Sequence, residues 1–477
     1  MSYPTDKSTL ASAFYFVASN PGRRTVFALW MLIVLSQICG AQSVVSVTSL
    51  GAHSNGTNAA ATTAAFKNAF ATNPTGEILV PPGTYLIDNS GGALMINNFS
   101  GQLEFQGSAQ LIFTTNTIGG LLFVGGTGAV IDGLQATYAT PPTHRNSPNE
   151  EIKFSGTTNT TLTNTTVQNS PSAGILFFDS VNPKVVNATV FNTLADGLNF
   201  SNCQNALVTN LTTQNTGDDA LSILNYAQYP NLTGALAQNI SITNSQARGI
   251  AVVGQSNVIV NGFQIQGTSS SGVLVAQDPT FNTRFPANVV IENGAVYNAG
   301  TLPPLVGSQY GLEYSLQQNV MFSNIYVFGS GTDGFAGSSP NGKVSVNNVT
   351  VDSPLSGHGF LFDNTQSVQV TSSTAINTPS YGFVFFQSSQ IIATGGLTAI
   401  NTGTTDPLKR AIWFEDAQTI LASSLNVFSN AGSANVIGCY TDAGYSAPTG
   451  SVKTISTEIV GSTLSIQNSC PNVKFTP

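Results

Sequence analysis

Apolar and polar residues alternate along most of this chain in short runs, separated by Gly, Asn, Ser and Thr. This is the pattern of short strands joined by turns. The runs also repeat. The copies read ADGLNF (195–200), DDALSI (218–223), ARGIAVV (247–253), SSGVLV (270–275), QYGLEY (309–314), TDGFAG (332–337), GHGFLF (357–362), SYGFVF (380–385) and RAIWF (410–414). They align on a small residue at Gly174, Gly197, Ala220, Gly249, Gly272, Gly311, Gly334, Gly359, Gly382 and Ala411, with spacings of 23, 23, 29, 23, 39, 23, 25, 23 and 29. Self-similarity at such a period is the mark of a solenoid. One place after the small residue stand Leu198, Leu221, Ile250, Val273, Leu312, Phe335, Phe360, Phe383 and Ile412, and the third place is mostly apolar too. Strand side chains alternate between faces, so these two columns point the same way, inward, and stack from coil to coil at about 4.8 Å. Helices between the strands are missing, which excludes a doubly wound sheet. The pattern predicts an all-β chain wound as a right-handed parallel β-helix.

The ends read differently. Residues 1–41 carry Arg23-Arg24, the apolar run Val26–Ile38 and Cys39-Gly40-Ala41, the layout of an export signal cut near Ala41; the apolar run is short for a membrane span. The mature protein is therefore expected to be secreted or periplasmic and free of the membrane. Residues 42–83 are expected to cap the solenoid and enter its first coil. Within them Ala65, Phe66, Ala69 and Phe70 recur at helical spacing, predicting a helix over Ala59–Ala71. The solenoid is expected over 84–440, with irregular strands over 441–477 closing its far end. The longer repeats place extra chain at Tyr226–Ala235, Asp278–Ala287 and Thr301–Gln309, the first two as walls of a groove.

Only 8% of residues are charged, and the net charge is −8. Beyond residue 41 the basic residues are Lys67, Arg145, Lys153, Lys184, Arg248, Arg284, Lys343, Lys409, Arg410, Lys453 and Lys474, with no basic stripe. Nucleic acid is therefore excluded as a partner, and a highly anionic polymer is disfavoured. Cys439 and Cys470 are a possible disulfide in an oxidising compartment, or two unpaired thiols, and Cys203 reads as a packed residue. No Cys/His spacing suits a metal, so neither metal nor cofactor is expected. The sequons at Asn98, Asn159, Asn164, Asn187, Asn210, Asn239 and Asn348 read as stacked Asn at turns.

The residue before each small one carries the chemistry: Asp196, Asp219, Arg248, Ser271, Tyr310, Asp333, His358, Tyr381 and Arg410. An unpaired carboxylate in a dry core is prohibitive, so this column must leave the inward alternation and lie in the turn before the strand. Asp196, Asp219 and Arg248 then stack on adjacent coils, with Asp218 beside them. Carboxyls this close cannot all ionise at their ordinary values, and one that keeps its proton can serve as an acid while an ionised neighbour activates water. Inverting glycoside hydrolysis uses such a set, with acid and base about 6.5–9.5 Å apart. An exposed acidic patch or a cation site is the plainer reading of the same residues.

The stretch ADGLNFSNCQNALVTNLTTQNTGDDALSI, followed by ARGIAVVG, resembles the polygalacturonase-type glycoside hydrolases of the pectate-lyase-like β-helix superfamily. Those carry Asn-Thr-Asp-Gly, Gly-Asp-Asp and Gly-His-Gly on successive coils. Asp196-Gly197 matches the end of the first motif and Gly217-Asp218-Asp219 the whole of the second. The resemblance implies Asp218 as general acid and Asp196 and Asp219 as holders of the attacking water. Arg248 stands where the family has His, and Leu274 and Ala276 replace the basic pair that grips a substrate carboxylate. Related β-helix enzymes acting on neutral glucans keep three such aspartates without that pair, and the chain is similar to them in this respect. The N-terminal segment is similar to the start of the same superfamily, with His53-Ser54-Asn55 in place of its usual Gly-Asp-Gly.

The expected activity is an exported glycoside hydrolase acting on a polysaccharide as a monomer. Arg248 is expected to bind substrate, along with Asn199 and Ser222, which point outward on their strands, and Tyr226 in its loop, with Tyr229 nearby. Solvated strand faces and loop packing are the plainer readings of these four. Glu313, Glu415 and Asp416 read as solvated, and His358 as too distant to replace the missing family His. Two alternatives use the same scaffold: a polysaccharide lyase or epimerase with Arg248 as base and calcium on the aspartates, and a non-catalytic adhesion protein.

Overall fold

A computed structural model describes residues 43–429, 436–459 and 464–476. The segment read as an export signal, Cys39 included, lies outside the described residues. The chain winds as a right-handed parallel β-helix. A typical coil has one short strand, such as Leu198–Ser201, and one long strand, such as Ala206–Thr216. Among the described residues the short strands stack into a 15-stranded parallel sheet, and the long ones, replaced on several coils by shorter pieces, into a 22-stranded sheet. The register of the short strands follows the predicted column without a slip: Leu198, Leu221, Ile250, Val273, Leu312, Phe335, Phe360, Phe383 and Ile412 pair in succession. All nine are fully buried. The column two places on is buried with them, Gly337 excepted, and forms ring stacks, with centroids 4.3 Å apart for Phe154–Phe177 and 5.0 Å for Phe385–Phe414.

The small residue is small for a steric reason. A Cβ on Gly197 would sit 2.5 Å from the Ala220 carbonyl oxygen, and one on Gly334 would sit 1.9 Å from Val351 Cγ1. Glu151 breaks this column, since it precedes Ile152, which pairs with Ile175. Its side chain is fully buried, neither oxygen has a hydrogen-bond partner among the described residues, and burial raises its pKa well above the ordinary carboxylate value. It is therefore held as the neutral acid.

The corners between strand segments are built by asparagine. Asn187, Asn210 and Asn239 have φ of 55°, 57° and 56°, the left-handed region that Asn tolerates better than other side-chain-bearing residues. Each amide donates to the Asn one coil earlier: Asn187 to Asn164 at 3.0 Å, Asn210 to Asn187 at 2.9 Å and Asn239 to Asn210 at 3.1 Å. Parallel ladders run through Asn159–Asn182–Asn205 and Asn169–Asn192–Asn215–Asn244. The sequons at Asn159, Asn164, Asn187, Asn210 and Asn239 are thus ladder positions.

At the N-terminal end the helix Ala59–Thr72, one residue longer than expected, lays Phe66 against Tyr85 (5.8 Å) and Phe70 against Phe99 (5.2 Å). The ladder already begins beside it, where Val44–Ser46 pairs with Glu77–Val80. At the other end Thr449–Ile459, Ser465–Asn468 and Asn472–Thr476 continue both sheets in parallel. Both sheets thus run on past residue 440, with register shifts where Ala422–Asn426 pairs with Val452–Ser456. Cys439 and Cys470 form a disulfide across a Cα separation of 5.7 Å, and Cys203 is packed at 2% exposure. Asp416, read from the sequence as solvated, is buried at 4% and accepts from the Asp442 backbone N–H. No helix among the described residues is long and apolar enough to cross a membrane.

Replacing Asn210 tests the corner ladder. Asn210→Ala loses two amide bonds and puts a Cβ-bearing residue without a polar side chain at positive φ, and should cost about 2–3 kcal/mol in denaturant unfolding. Asn210→Gly keeps the backbone conformation and should cost clearly less; equal losses would place the stabilisation in the bonds alone.

Candidate functional site

The turn preceding each short strand carries the acidic column out of the core, as its chemistry requires. On two successive coils it brings Asp196, Asp218 and Asp219 together, with an oxygen of each within 4.8 Å of the others. That is tighter than the gap invoked from the sequence for an inverting pair. Asp219 is deepest at 6% exposure, Asp196 is partly buried, and the Asp218 side chain is 28% exposed at the mouth.

Each carboxylate has its own donors. Asp196 accepts from Asn199 Nδ2 at 2.6 Å and from Ser222 Oγ at 2.9 Å. Asp219 accepts from the Arg248 backbone N–H at 3.0 Å and from its Nη1 at 3.4 Å. Asp218 pairs with Arg145 Nη1 at 2.7 Å. Burial pushes Asp196 up to about 7, helped by the negative charges of Asp219 and Asp218 and opposed by Asn199 and Ser222. Burial also pushes Asp219 up to about 6, against the pull of Arg248. The site therefore retains a proton close to neutral pH, which is the property an acid–base catalyst needs.

These groups line a cavity of about 240 Å³. Asn199, Tyr226 and Arg248 line it as well. Ser222 does not, being fully buried. The expectation that Ser222 meets sugar is therefore corrected: its hydroxyl is spent on Asp196. Asn199 reaches the cavity at only 8% exposure, with its amide nitrogen on Asp196 and its oxygen accepting from Ser201. It holds the carboxylate more than it faces a ligand. Both stand at outward strand positions and are nonetheless buried, each bonded to Asp196.

Two insertions form the expected wall. Tyr226 pairs with Thr283 in an antiparallel bridge, and Arg284 Nη2 donates to the carbonyls of Ala227 (3.1 Å) and Tyr229 (2.7 Å). Tyr229 packs edge-on against Phe178 at 5.1 Å, away from the cavity lining. Asp278, Phe281 and Thr283 complete this side. The third insertion folds back on Ser269 and Ser270, whose hydroxyls donate to the carbonyls of Leu302 (2.6 Å) and Ser308 (2.8 Å). The opposite wall, Arg145, Ser147 and Glu150, was not foreseen. Arg145 lies 73 residues before Asp218 and outside the repeat. Its only sequence signal is that it is one of few cations in the chain.

A family model described as "Right handed beta helix region" matches residues 173–351 and 228–398. A search among curated proteins finds no match. Among solved structures, the catalytic unit of a thermostable GH87 α-1,3-glucanase from Streptomyces thermodiastaticus strain HF3-3 is similar over 89% of this chain and 71% of its own, at 17% identity and a TM-score of 0.55. The catalytic domain of a GH87 α-1,3-glucanase in complex with tetrasaccharides is similar over 73% of this chain and 65% of its own, at 17% identity and a TM-score of 0.52. At such identity the likeness is one of fold. Register, family model and structural likeness agree that the chain is a right-handed parallel β-helix protein.

Proposed function

We propose that this chain is an exported glycoside hydrolase that cleaves a neutral polysaccharide with inversion. The observation that supports this most is the convergence of Asp196, Asp218 and Asp219 from successive coils into one walled cavity, with proton affinity raised at two of them. In this reading Asp218, at the mouth, passes to the oxygen of the bond being broken the proton that the carboxyl cluster retains. Asp196 and Asp219 lie deeper and hold a water among the three carboxyls, one of them taking its proton. Arg145 and Arg248 flank the reacting groups, each on an aspartate. The cavity lining also carries Glu150 and Asp278, so carboxyls outnumber cations five to two, which suits an uncharged ligand. The α-1,3-glucan named for the similar structures is the first substrate to try.

A lyase or epimerase using Arg248 as base fits less well. Asp219 raises the Arg248 pKa further above its ordinary value, so the guanidinium stays charged.

Asp218→Asn should abolish release of reducing ends from the substrate that a glycan panel identifies, at least about 10³-fold in kcat, with an unchanged circular dichroism spectrum. Retained activity would sink the assignment, and NMR of fresh product should show the inverted anomer.

The raised values set the pH dependence. A base formed by Asp196 and Asp219 is lost as they protonate, so kcat/KM should fall as pH drops through about 7 to about 6. The same shift bears on stability. Because the folded-state value of Asp196 lies above the ordinary 3.8, its contribution is complete below that value and is lost as pH rises through about 7. Asp196→Asn should therefore raise the Tm at pH 8 relative to the parent while eliminating turnover; a lower Tm at that pH would contradict the burial argument.

A further inference from the structure

The column that supplies the acids continues along the same face as Tyr310, Asp333, His358, Tyr381 and Arg410, one per coil. Asp333, buried at 7%, accepts from both the backbone N–H and Nδ1 of His358, the latter at 2.8 Å. This turns Nε2 away from Asp333, and Nε2 has no hydrogen-bond partner among the described residues. The His358 ring meets Tyr381 edge-on at 5.2 Å. Arg410, clamped by Asp406 through Nε and Nη2 at 3.0 Å each, lies 4.3 Å from the Tyr381 ring centre and 5.2 Å from that of Trp413. Beside this row lies a hollow of about 180 Å³, lined by Tyr310, Glu313, Leu361 and Asp363 and floored by Ala336 and Gly337. The hydroxyls of Tyr310 and Tyr381 and the carboxyl of Asp363 make no hydrogen bond with described residues.

These groups have a common character. Tyr310, His358 and Tyr381 are half-buried rings, each with an unpaired polar atom; His358 and Arg410 are each fixed by an ion pair, and Tyr310 also lines the hollow. Glu313 and Asp363, with no cation in the lining, make the hollow unfit for an anion. A hydroxyl-rich, uncharged ring fits: its apolar face lies on an aromatic side chain and its hydroxyls meet the unpaired donors and acceptors. The row is separate from the acid cavity. The segment Leu302–Ser308 folds over the intervening turn, and Ser271 beneath it is fully buried. Three coils separate Asp219 from Tyr310 and six separate it from Tyr381, about 14 Å and about 29 Å at the coil rise.

We infer that the row from Tyr310 to Tyr381, with its adjoining hollow, is a second glycan-binding site, which holds a neutral polysaccharide chain outside the acid cavity. The choice of ligand rests on the hydrolase reading above. Two sites on one face engage a polymer with an avidity that neither has alone, because the second contact is intramolecular.

Trp413 is the only tryptophan beyond residue 41 and lies at the end of this row, so its emission reports on occupancy. The Asp218→Asn protein, which leaves the polymer intact, is titrated with soluble α-1,3-glucan, β-1,3-glucan, xylan and mannan. At least one should shift Trp413 emission, and adding Tyr381→Ala or, more conservatively, Tyr310→Phe with His358→Gln should weaken that binding about tenfold. No emission change with any of the four, or binding equal to that of the parent in both added variants, overturns the inference. The two readings fail separately. Binding at the row with no glycan cleaved by the unsubstituted protein removes the hydrolase reading alone. Asp218-dependent cleavage with undiminished binding in the row variants removes the second site alone.

Discussion

Parallel stacking in a fixed register is the constraint on which everything else in this protein rests. Each short strand hydrogen-bonds to its neighbours before and after, and each corner is pinned where an Asn in left-handed conformation donates its amide to the Asn one coil earlier. A corner residue must do two things at once: accept positive φ and reach along the solenoid axis. Asn does both, and Gly only the first. Because the corners fix where each strand starts, residues at the same phase of the repeat are forced to stand above one another. Apolar residues at one phase become a core, and acids at another become a charge cluster whose members have nowhere to separate.

That explains why so much was legible. The inward columns follow from period-two alternation multiplied by a constant coil length, and the structure reproduces their pairing through Ile412. The convergence of Asp196, Asp219 and Arg248 follows from the same arithmetic. What escaped was whatever the repeat does not encode. Arg145 reaches Asp218 from an irregular segment, so no spacing announces it. Ser222 and Asn199 sit at positions that alternation alone turns outward, and alternation does not show that both are buried against Asp196. Beyond residue 440 the small-residue marker is absent, yet backbone pairing continues. The marker serves local crowding and is no requirement of the ladder itself.

The charged groups show how unevenly the solenoid spreads its costs. Glu151 is neutral in the core, Asp196 and Asp219 retain protons toward neutrality, and all three stand within a few coils of one another. In a domain with one small core such groups would be hard to accommodate. In a solenoid each coil contacts only its neighbours, so strain at one place is carried by well-packed coils on either side. Phe200, on the coil that carries Asp196, stacks on Phe177, which stacks on Phe154, on the two coils before it.

The small residue at the head of each short strand has a consequence for how such a site can change over time. Because the chain closes on itself only after a full turn, the distance between two groups on this face is fixed in units of the coil rise. Gain or loss of a turn moves a partner by one whole step or not at all. Fine adjustment is left to side-chain length and to the loops, which can be lengthened without disturbing the ladder. A family built this way would diversify by trading loops around an unchanged grid.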